Sequence, residues 1–114
     1  MEVRRGEIYL VSLDPTVGSE IEKTRPALII QNDVGNKYSP LTIVAPITST
    51  HRAKKYPTEV NTTAKESGLH SDSTVMLNQI RTIDKSRIVR KLGVLSQAKM
   101  SEVDEAIRIS LAIA

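Results

Sequence analysis

A nearly continuous apolar run in the first third of the chain constrains the fold most. Pro26–Asn32 reads PALIIQN, and its length and composition indicate a strand buried on both faces. Such a strand lies in the middle of a sheet, with other strands on either side of it. A chain of 114 residues has room for one core, so we expect a single domain spanning 1–114.

Other segments supply the neighbouring strands. Gly6–Leu13 is rich in β-branched and aromatic residues and ends at the turn dipeptide Asp14-Pro15. Leu41–Thr48 is a third predicted strand, in which Pro46 implies an edge, a bulge or a bend. Further extended segments are predicted at Thr58–Val60, Ser73–Thr82 and Ile88–Leu95.

Turns and helices account for the rest of the chain. Asp33–Pro40 is predicted as a loop, Gly68–Asp72 as a turn, and Thr82–Arg87 as one helical turn capped by Asp84. Ser96 is a predicted N-cap, followed by apolar residues at helical spacing: Met100, Val103, Ala106, Ile107 and Leu111. Short strands followed by a terminal helix predict a mainly β fold with helical cover, a small curled sheet or partly closed barrel with a C-terminal amphipathic helix.

Composition narrows the class of protein. No cysteine is present, which excludes disulfides and thiolate zinc sites and is compatible with the cytoplasm. The sequence contains neither a signal-peptide pattern nor an apolar run of about 18 residues, so we expect a cytoplasmic protein that does not enter a membrane. A net charge of +3 favours an anionic partner, while only three aromatic residues, all tyrosine, argue against a broad base-stacking surface.

Common catalytic motifs are missing. The chain has no phosphate-binding glycine loop, no Gly-x-Ser-x-Gly elbow and no His-Glu-x-x-His pair. Both histidines, His51 and His70, lie in polar segments and are predicted to be solvated loop residues. Most familiar enzyme classes are therefore excluded.

An arginine at the entrance of the central strand is a candidate for phosphate chemistry. Arg25 follows the polar segment Thr16–Thr24 and precedes Pro26, which disfavours a helix at the arginine. An extended backbone there would hold a guanidinium whose rigid fork of donors matches phosphate oxygens. The alternative is a structural ion pair between Arg25 and Glu20.

A threonine at the end of the proline-containing strand is the second candidate. Thr48 directly precedes Ser49, Thr50 and the basic segment His51–Lys55. Its hydroxyl can donate to a phosphate oxygen while the basic segment holds the neighbouring backbone of a phosphate-bearing ligand. The alternative is an ordinary strand threonine beside a solvated group of charges.

Several motifs together carry a family resemblance that runs essentially from end to end. They are Arg5–Tyr9, Pro15-x-x-Gly18-Ser19-Glu20, Arg25–Asn32, Ile47-Thr48, Gln79–Asp84, Val103–Ala106 and Ser110–Ala112. In this order the motifs closely resemble the MazF/PemK family of toxin ribonucleases.

The resemblance implies an SH3-like, PemK-like β-barrel that acts as a homodimer and is neutralised by a cognate antitoxin. It also implies cleavage of single-stranded RNA without metal or other cofactor, leaving a 2′,3′-cyclic phosphate and a 5′-hydroxyl. Arg25 and Thr48 match the family's catalytic pair. Residues matching the family's RNA groove are Ser19, Glu20, Asn32, Tyr56, Pro57, Asn78 and Gln79. Val17 and Asn78 match positions that vary with the RNA sequence recognised.

Two other functions fit the same fold. Some bacterial toxins that share this barrel poison gyrase by binding it, and a plain RNA-binding barrel would bind without cutting. The matches at Arg25-Pro26 and Thr48 favour the nuclease.

Overall fold

The structure, a computed structural model, describes residues 2–49 and 56–114. Within them, seven antiparallel strands form a sheet of order β4-β5-β3-β2-β1-β7, and β6 also pairs with β3. The strands are β1 Glu7–Ser12, β2 Thr24–Ile29, β3 Leu41–Thr48, β4 Glu59–Thr62, β5 Ser73–Met76, β6 Arg81–Asp84 and β7 Ile88–Val94. The helices are α1 Asp33–Tyr38, α2 Ala64–Ser67 and α3 Gln97–Leu111. The sheet is not closed, and its mainly β character with a C-terminal helix confirms the predicted fold class.

The predicted central strand is confirmed. β2 lies between β1 and β3, and Ala27, Leu28 and Ile29 are each 0% exposed. Leu28 joins a cluster that includes Ile8, Ala45 and residues of α3, whereas Ala27 and Ile29 join a second cluster on the other side. Because successive strand residues point to opposite faces, one uninterrupted apolar run serves both clusters.

Pro46 marks a change of partner within β3, whose bounds match the predicted strand. Leu41 to Val44 pair with β6, whereas Ile47 and Thr48 pair with β5. Pro46 lies between these two pairings and opposite Ala27 of β2. A residue without an N–H fits the position where one ladder ends and the next begins. The strand is therefore not an edge, and the proline belongs to a transition between ladders.

The prediction of a loop at Asp33–Pro40 is wrong, because this segment contains α1. Asn32 caps the helix by accepting a hydrogen bond from the Gly35 amide at 2.8 Å. The buried Asn36 side chain accepts a hydrogen bond from the Thr42 hydroxyl at 2.7 Å. The cap and this contact with β3 stabilise a helix in a stretch whose composition is typical of a loop.

The single extended segment predicted at Ser73–Thr82 is also wrong. It forms β5 and β6, separated by a turn at 77–80 in which the Gln79 amide donates to the Met76 carbonyl at 3.1 Å. α2, which was not predicted, precedes β5 and begins with a capping box between Thr63 and Glu66. The predicted turn at Gly68–Asp72 follows α2 and begins with Gly68 in the left-handed region.

The C-terminal helix is confirmed. The Ser96 hydroxyl accepts a hydrogen bond from the Lys99 amide at 3.1 Å, and Met100, Val103 and Ala106 are buried against the sheet. Leu111, predicted on the same apolar face, is 56% exposed, so the buried face ends before it.

The predicted cap at Asp84 is confirmed too, since its carboxylate accepts from the Ser86 amide at the start of a single 3₁₀ turn, Lys85–Arg87. No helix among residues 2–49 and 56–114 has the length and apolar character needed to cross a bilayer.

The link between α1 and the N-terminal segment is expected to weaken in acid. The Arg5 amide donates to the Asp33 carboxylate at 2.7 Å, and this bond, with a second from the Asn36 amide group, lowers the pKa of Asp33 below its usual range. A lowered folded-state pKa adds stability that is complete above about pH 5 and is lost as the pH falls through the lowered value. Asp33→Asn is therefore expected to melt lower than wild type near neutral pH, with the difference shrinking towards about pH 3. An equal difference in melting temperature at both pH values would contradict this assignment.

Candidate active site

Arg25 lies near the start of β2, and most of the N–H groups of its guanidinium have no hydrogen-bond partner among the described residues. The residue pairs with Val11 of β1, and its Nε donates to the Glu22 carbonyl at 2.8 Å. In the described part of the chain, its two terminal nitrogens have no hydrogen-bond or ion-pair partner. The alternative ion pair with Glu20 is not formed, because the Glu20 carboxylate instead accepts from the Val17 amide. The four N–H donors of these two nitrogens thus remain available for an anion.

Thr48 and Arg25 lie at the same end of the paired strands β2 and β3. Ala27 and Pro46 form the last pair between these strands, and each candidate lies two residues beyond it, Arg25 near the start of β2 and Thr48 at the end of β3. On its other side Thr48 pairs with Thr74 of β5. Both candidates therefore stand at the same end of adjacent strands.

Four of the predicted RNA-binding residues meet in one pocket of about 380 Å³. The lining residues are Ser19, Glu20, Ile21, Asn78, Gln79, Ile80 and Arg81. The Gln79 side chain joins the two halves, since it accepts a hydrogen bond from the Ile21 amide at 2.8 Å. Arg81 donates to the Leu13 carbonyl at 2.8 Å and fixes the base of the β1–β2 loop. The pocket offers hydroxyl, amide and carboxylate groups of the kind that read base edges.

The remaining predicted RNA-binding residues lie elsewhere. Val17 is 80% exposed on the β1–β2 loop. Asn32 is the N-cap of α1 and follows the C-terminal end of β2, whereas Arg25 lies near the N-terminal end of that strand. Tyr56 is 52% exposed, and Pro57 lines a separate small pocket beside α3. These four assignments stay predictions.

A second pocket, of about 410 Å³, contains residues that no sequence pattern marks as functional. Arg25 lines it together with His70 from the α2–β5 connection and Arg90 from β7. His70 is exposed, as predicted, yet it shares a pocket with Arg25. No motif in the sequence marks Arg90; only the strand order, with β7 and β2 on either side of β1, relates it to Arg25. His51 and the rest of the basic segment His51–Lys55 lie outside the described residues.

The described residues hold no group of three histidine, aspartate or glutamate side chains arranged to bind a metal ion. The candidate groups are an arginine fork and a hydroxyl at the same end of β2 and β3, and polar side chains of two turns in the first pocket. An open antiparallel sheet with cationic groups at its strand ends thus defines a small β protein suited to bind a phosphate-bearing ligand.

Comparison with known proteins identifies the family. The model for the PemK-like, MazF-like toxin of type II toxin–antitoxin systems matches residues 4–111. Endoribonuclease EndoA of Bacillus subtilis (strain 168) is 50% identical over 113 residues, which cover 99% of this chain and 97% of the relative. Endoribonuclease MazF of Staphylococcus epidermidis is 51% identical over 111 residues, 97% of this chain and 92% of the relative.

Solved structures agree. The Mycobacterium tuberculosis toxin MazF-mt6 is 30% identical with a TM-score of 0.80, covering 95% of this chain and 98% of that one. MazF from Deinococcus radiodurans is 27% identical with a TM-score of 0.81 and 99% coverage of both chains. The chain therefore belongs to the family of PemK-like, MazF-like toxins of type II toxin–antitoxin systems.

Proposed function

We propose that this protein is the endoribonuclease toxin of a toxin–antitoxin pair and that it cuts single-stranded RNA at a short recognition sequence. The observation that carries the proposal is the identity of about half of the chain with two relatives named as endoribonucleases. The terminal guanidinium nitrogens of Arg25 have no partner among the described residues, and Thr48 lies at the same end of the neighbouring strand, which supports a phosphate-binding centre at this position.

The proposed reaction uses the RNA's own 2′-hydroxyl as nucleophile. Its oxygen bonds to the adjacent phosphorus while the bond from phosphorus to the 5′ oxygen breaks, giving a 2′,3′-cyclic phosphate. The 2′-hydroxyl gives its proton to solvent water, and the departing 5′ oxygen takes one from Arg25, which regains a proton from solvent. This leaves a 5′-hydroxyl. The protein has to align these atoms and stabilise charge on the phosphorane, and this chemistry needs no metal or other cofactor.

In this reaction Arg25 clamps the phosphate and passes a proton to the departing oxygen. A guanidinium is effectively always protonated, so it cannot serve as the base that accepts the first proton. Thr48 donates a hydrogen bond to the same phosphate. DNA lacks the 2′-hydroxyl and is not cut, and RNA with a deoxyribose at the cut position is expected to bind and inhibit.

RNA recognition is assigned to the first pocket. Ser19, Glu20, Asn78 and Gln79 line it, and their hydroxyl, carboxylate and amide groups can pair with unstacked bases. The wider groove in this proposal adds Val17, Asn32, Tyr56 and Pro57, which the resemblance implies.

The proposal includes partners and location. Family membership supports a cognate antitoxin, and a 26% identical Deinococcus radiodurans structure is an assembly of MazE and MazF. We propose that an acidic antitoxin segment folds along this RNA-binding groove and so blocks RNA. We further propose that residues 1–114 act as one domain, in a homodimer, in the cytoplasm where the RNA substrate is found.

The test is incubation of the purified protein with a long single-stranded RNA in excess EDTA, with the fragment ends mapped by sequencing. We expect discrete cuts with 5′-hydroxyl ends at one recurring sequence. A protein that binds RNA but leaves it intact would be the RNA-binding barrel. A protein that neither cuts nor binds RNA, yet arrests growth through gyrase, would overturn the nuclease in favour of the gyrase poison.

A further inference from the structure

The second pocket carries positive charge that no acidic residue offsets. Arg25 and Arg90 supply this charge, His70 also lines the pocket, and the described lining residues include no aspartate or glutamate. Arg90 has no ion pair or hydrogen-bond partner among residues 2–49 and 56–114. Its neighbour Lys91, by contrast, pairs with Glu7 at 2.6 Å. Cations gathered without a counterion favour an anionic ligand.

Arg90 lies within reach of the proposed cleavage centre. It pairs with Leu10 of β1, and Leu10 pairs with Pro26, the residue next to Arg25. Two strand spacings, roughly 10 Å, therefore separate the backbones of β7 and β2 at this level. Arg90 shares a sheet face with its partner Leu10, whereas Arg25 pairs with Val11 and belongs to the alternate face, although both arginines line the pocket. An extended ligand that crosses the end of β2 can therefore contact both arginines.

The lining of the second pocket is partly apolar. Its apolar residues, called the apolar floor below, are Leu10, Pro26, Ile47, Leu69 and Leu92, and the lining also includes Ser49, Ser71 and Ser73. An apolar floor with a few polar groups, in about 410 Å³, is typical of a site for a small organic group. A nucleotide combines a flat base and ribose with a charged phosphate, and this matches the floor and the cations together.

We propose that the second pocket binds one nucleotide of the RNA next to the cut, with its phosphate held by Arg90 and His70 and its base or ribose on the apolar floor. This inference rests on the proposed function, because the pocket shares Arg25 with the cleavage centre. A compact hollow beside that centre suits one nucleotide better than an extended acidic protein segment, which needs a long groove. Arg90 is a substrate-positioning residue in this scheme, and bond breaking remains with Arg25 and Thr48.

The experiment measures binding separately from cleavage. The ligand is a fluorescent RNA carrying the sequence that the wild-type protein cuts, with a deoxyribose at the cut position so that it stays intact. Arg90→Gln is compared with Arg108→Gln, a matched loss of one positive charge on α3, where Arg108 is exposed and is not a lining residue of this pocket. Thermal melting of both variants checks that they are folded.

We expect Arg90→Gln to raise the Kd for this RNA roughly tenfold, the effect of one charge-assisted hydrogen bond. The slope of log Kd against log salt is expected to fall by roughly 0.7, the value for one phosphate contact in a single strand. Arg108→Gln should change neither quantity more than about twofold. Shortening the RNA by single nucleotides on either side of the cut should identify one nucleotide whose removal makes wild type and Arg90→Gln bind equally.

Three results would overturn the inference. If wild type cuts RNA but Arg90→Gln and Arg108→Gln bind it equally, the nucleotide site is wrong while the nuclease stands. If Arg90→Gln binds RNA normally but resists neutralisation by the antitoxin, the pocket serves the protein partner. If wild type cuts no RNA, the proposed function itself fails.

Discussion

In Arg25→Ala, the rate constant for RNA cleavage at saturating enzyme is expected to fall about 10²- to 10³-fold, the usual effect of removing one preorganised donor to a transition-state oxyanion. The terminal nitrogens of Arg25 have no partner within the described residues, so its removal leaves no buried charge behind. We therefore expect little change in melting temperature. Single-turnover cleavage of a short fluorogenic RNA measures the rate constant directly.

Arg25→Lys is the matched variant for this experiment, because it keeps the positive charge and removes the planar fork. If two parallel hydrogen bonds to the phosphate are needed, lysine should restore only a small part of the lost rate. Near-normal turnover in Arg25→Lys would show that a point charge suffices. Undiminished cleavage by Arg25→Ala would remove Arg25 from the mechanism altogether.

Gly93→Ala is expected to lower the free energy of unfolding by about 3 kcal/mol, at the upper end of the usual cost of overpacking. A Cβ at Gly93 would stand 2.0 Å from the Ser67 carbonyl oxygen, and that oxygen belongs to backbone that cannot rotate away. β7 and the end of α2 must then separate. For a domain of this size the melting temperature should fall by roughly 10 °C, measured by circular dichroism.

Gly18→Ala is the matched control for Gly93→Ala. Gly18 has φ +57, so alanine there meets a conformational penalty, but its Cβ has nothing within 4 Å. We expect a cost of about 1 kcal/mol. Similar losses in the two variants would mean that close packing at Gly93 is not the cause. Gly93→Ala should also weaken RNA binding, because it displaces the segment from Gly68 to Ser71 that lines the second pocket.

Segments whose pattern matches one regular structure were predicted correctly from sequence. β3 has the predicted bounds, β1 is shorter than predicted by one residue at each end, β7 is shorter by one residue at its C-terminal end, and α3 begins directly after the predicted cap Ser96. In these segments local propensity and the burial pattern favour the same structure. Packing in the folded protein therefore does not alter the structure that the sequence predicts. The burial of β2 on both faces was predictable for the same reason.

Segments whose structure depends on contacts with other strands or loops were not predicted. α1 is stabilised by the Asn36 hydrogen bond to Thr42 in β3, and no local pattern signals this contact. The break at 77–80 interrupts a stretch of good strand formers, and Gln79 there bonds to Ile21, 58 residues away in sequence. Tertiary contacts decide such positions.

The candidate site shows the same division. Arg25 and Thr48 are predictable because each stands at the end of a recognisable strand, and the pairing of β2 with β3 places these ends on the same side of the sheet. Arg90 and His70 come from segments that neighbour Arg25 only after the sheet has formed. Sequence patterns report which residues end a strand, whereas the composition of a pocket depends on strand order.

The first pocket is built from turns that carry little of the protein's stability. Ser19, Glu20 and Asn78 are exposed and belong to neither apolar cluster. Substitutions at exposed positions usually change stability by less than about 0.5 kcal/mol. New side chains can therefore accumulate there by mutation without loss of the fold. If the first pocket reads RNA as proposed, natural selection can redirect such a toxin to different RNA sequences without altering its sheet, its core or Arg25.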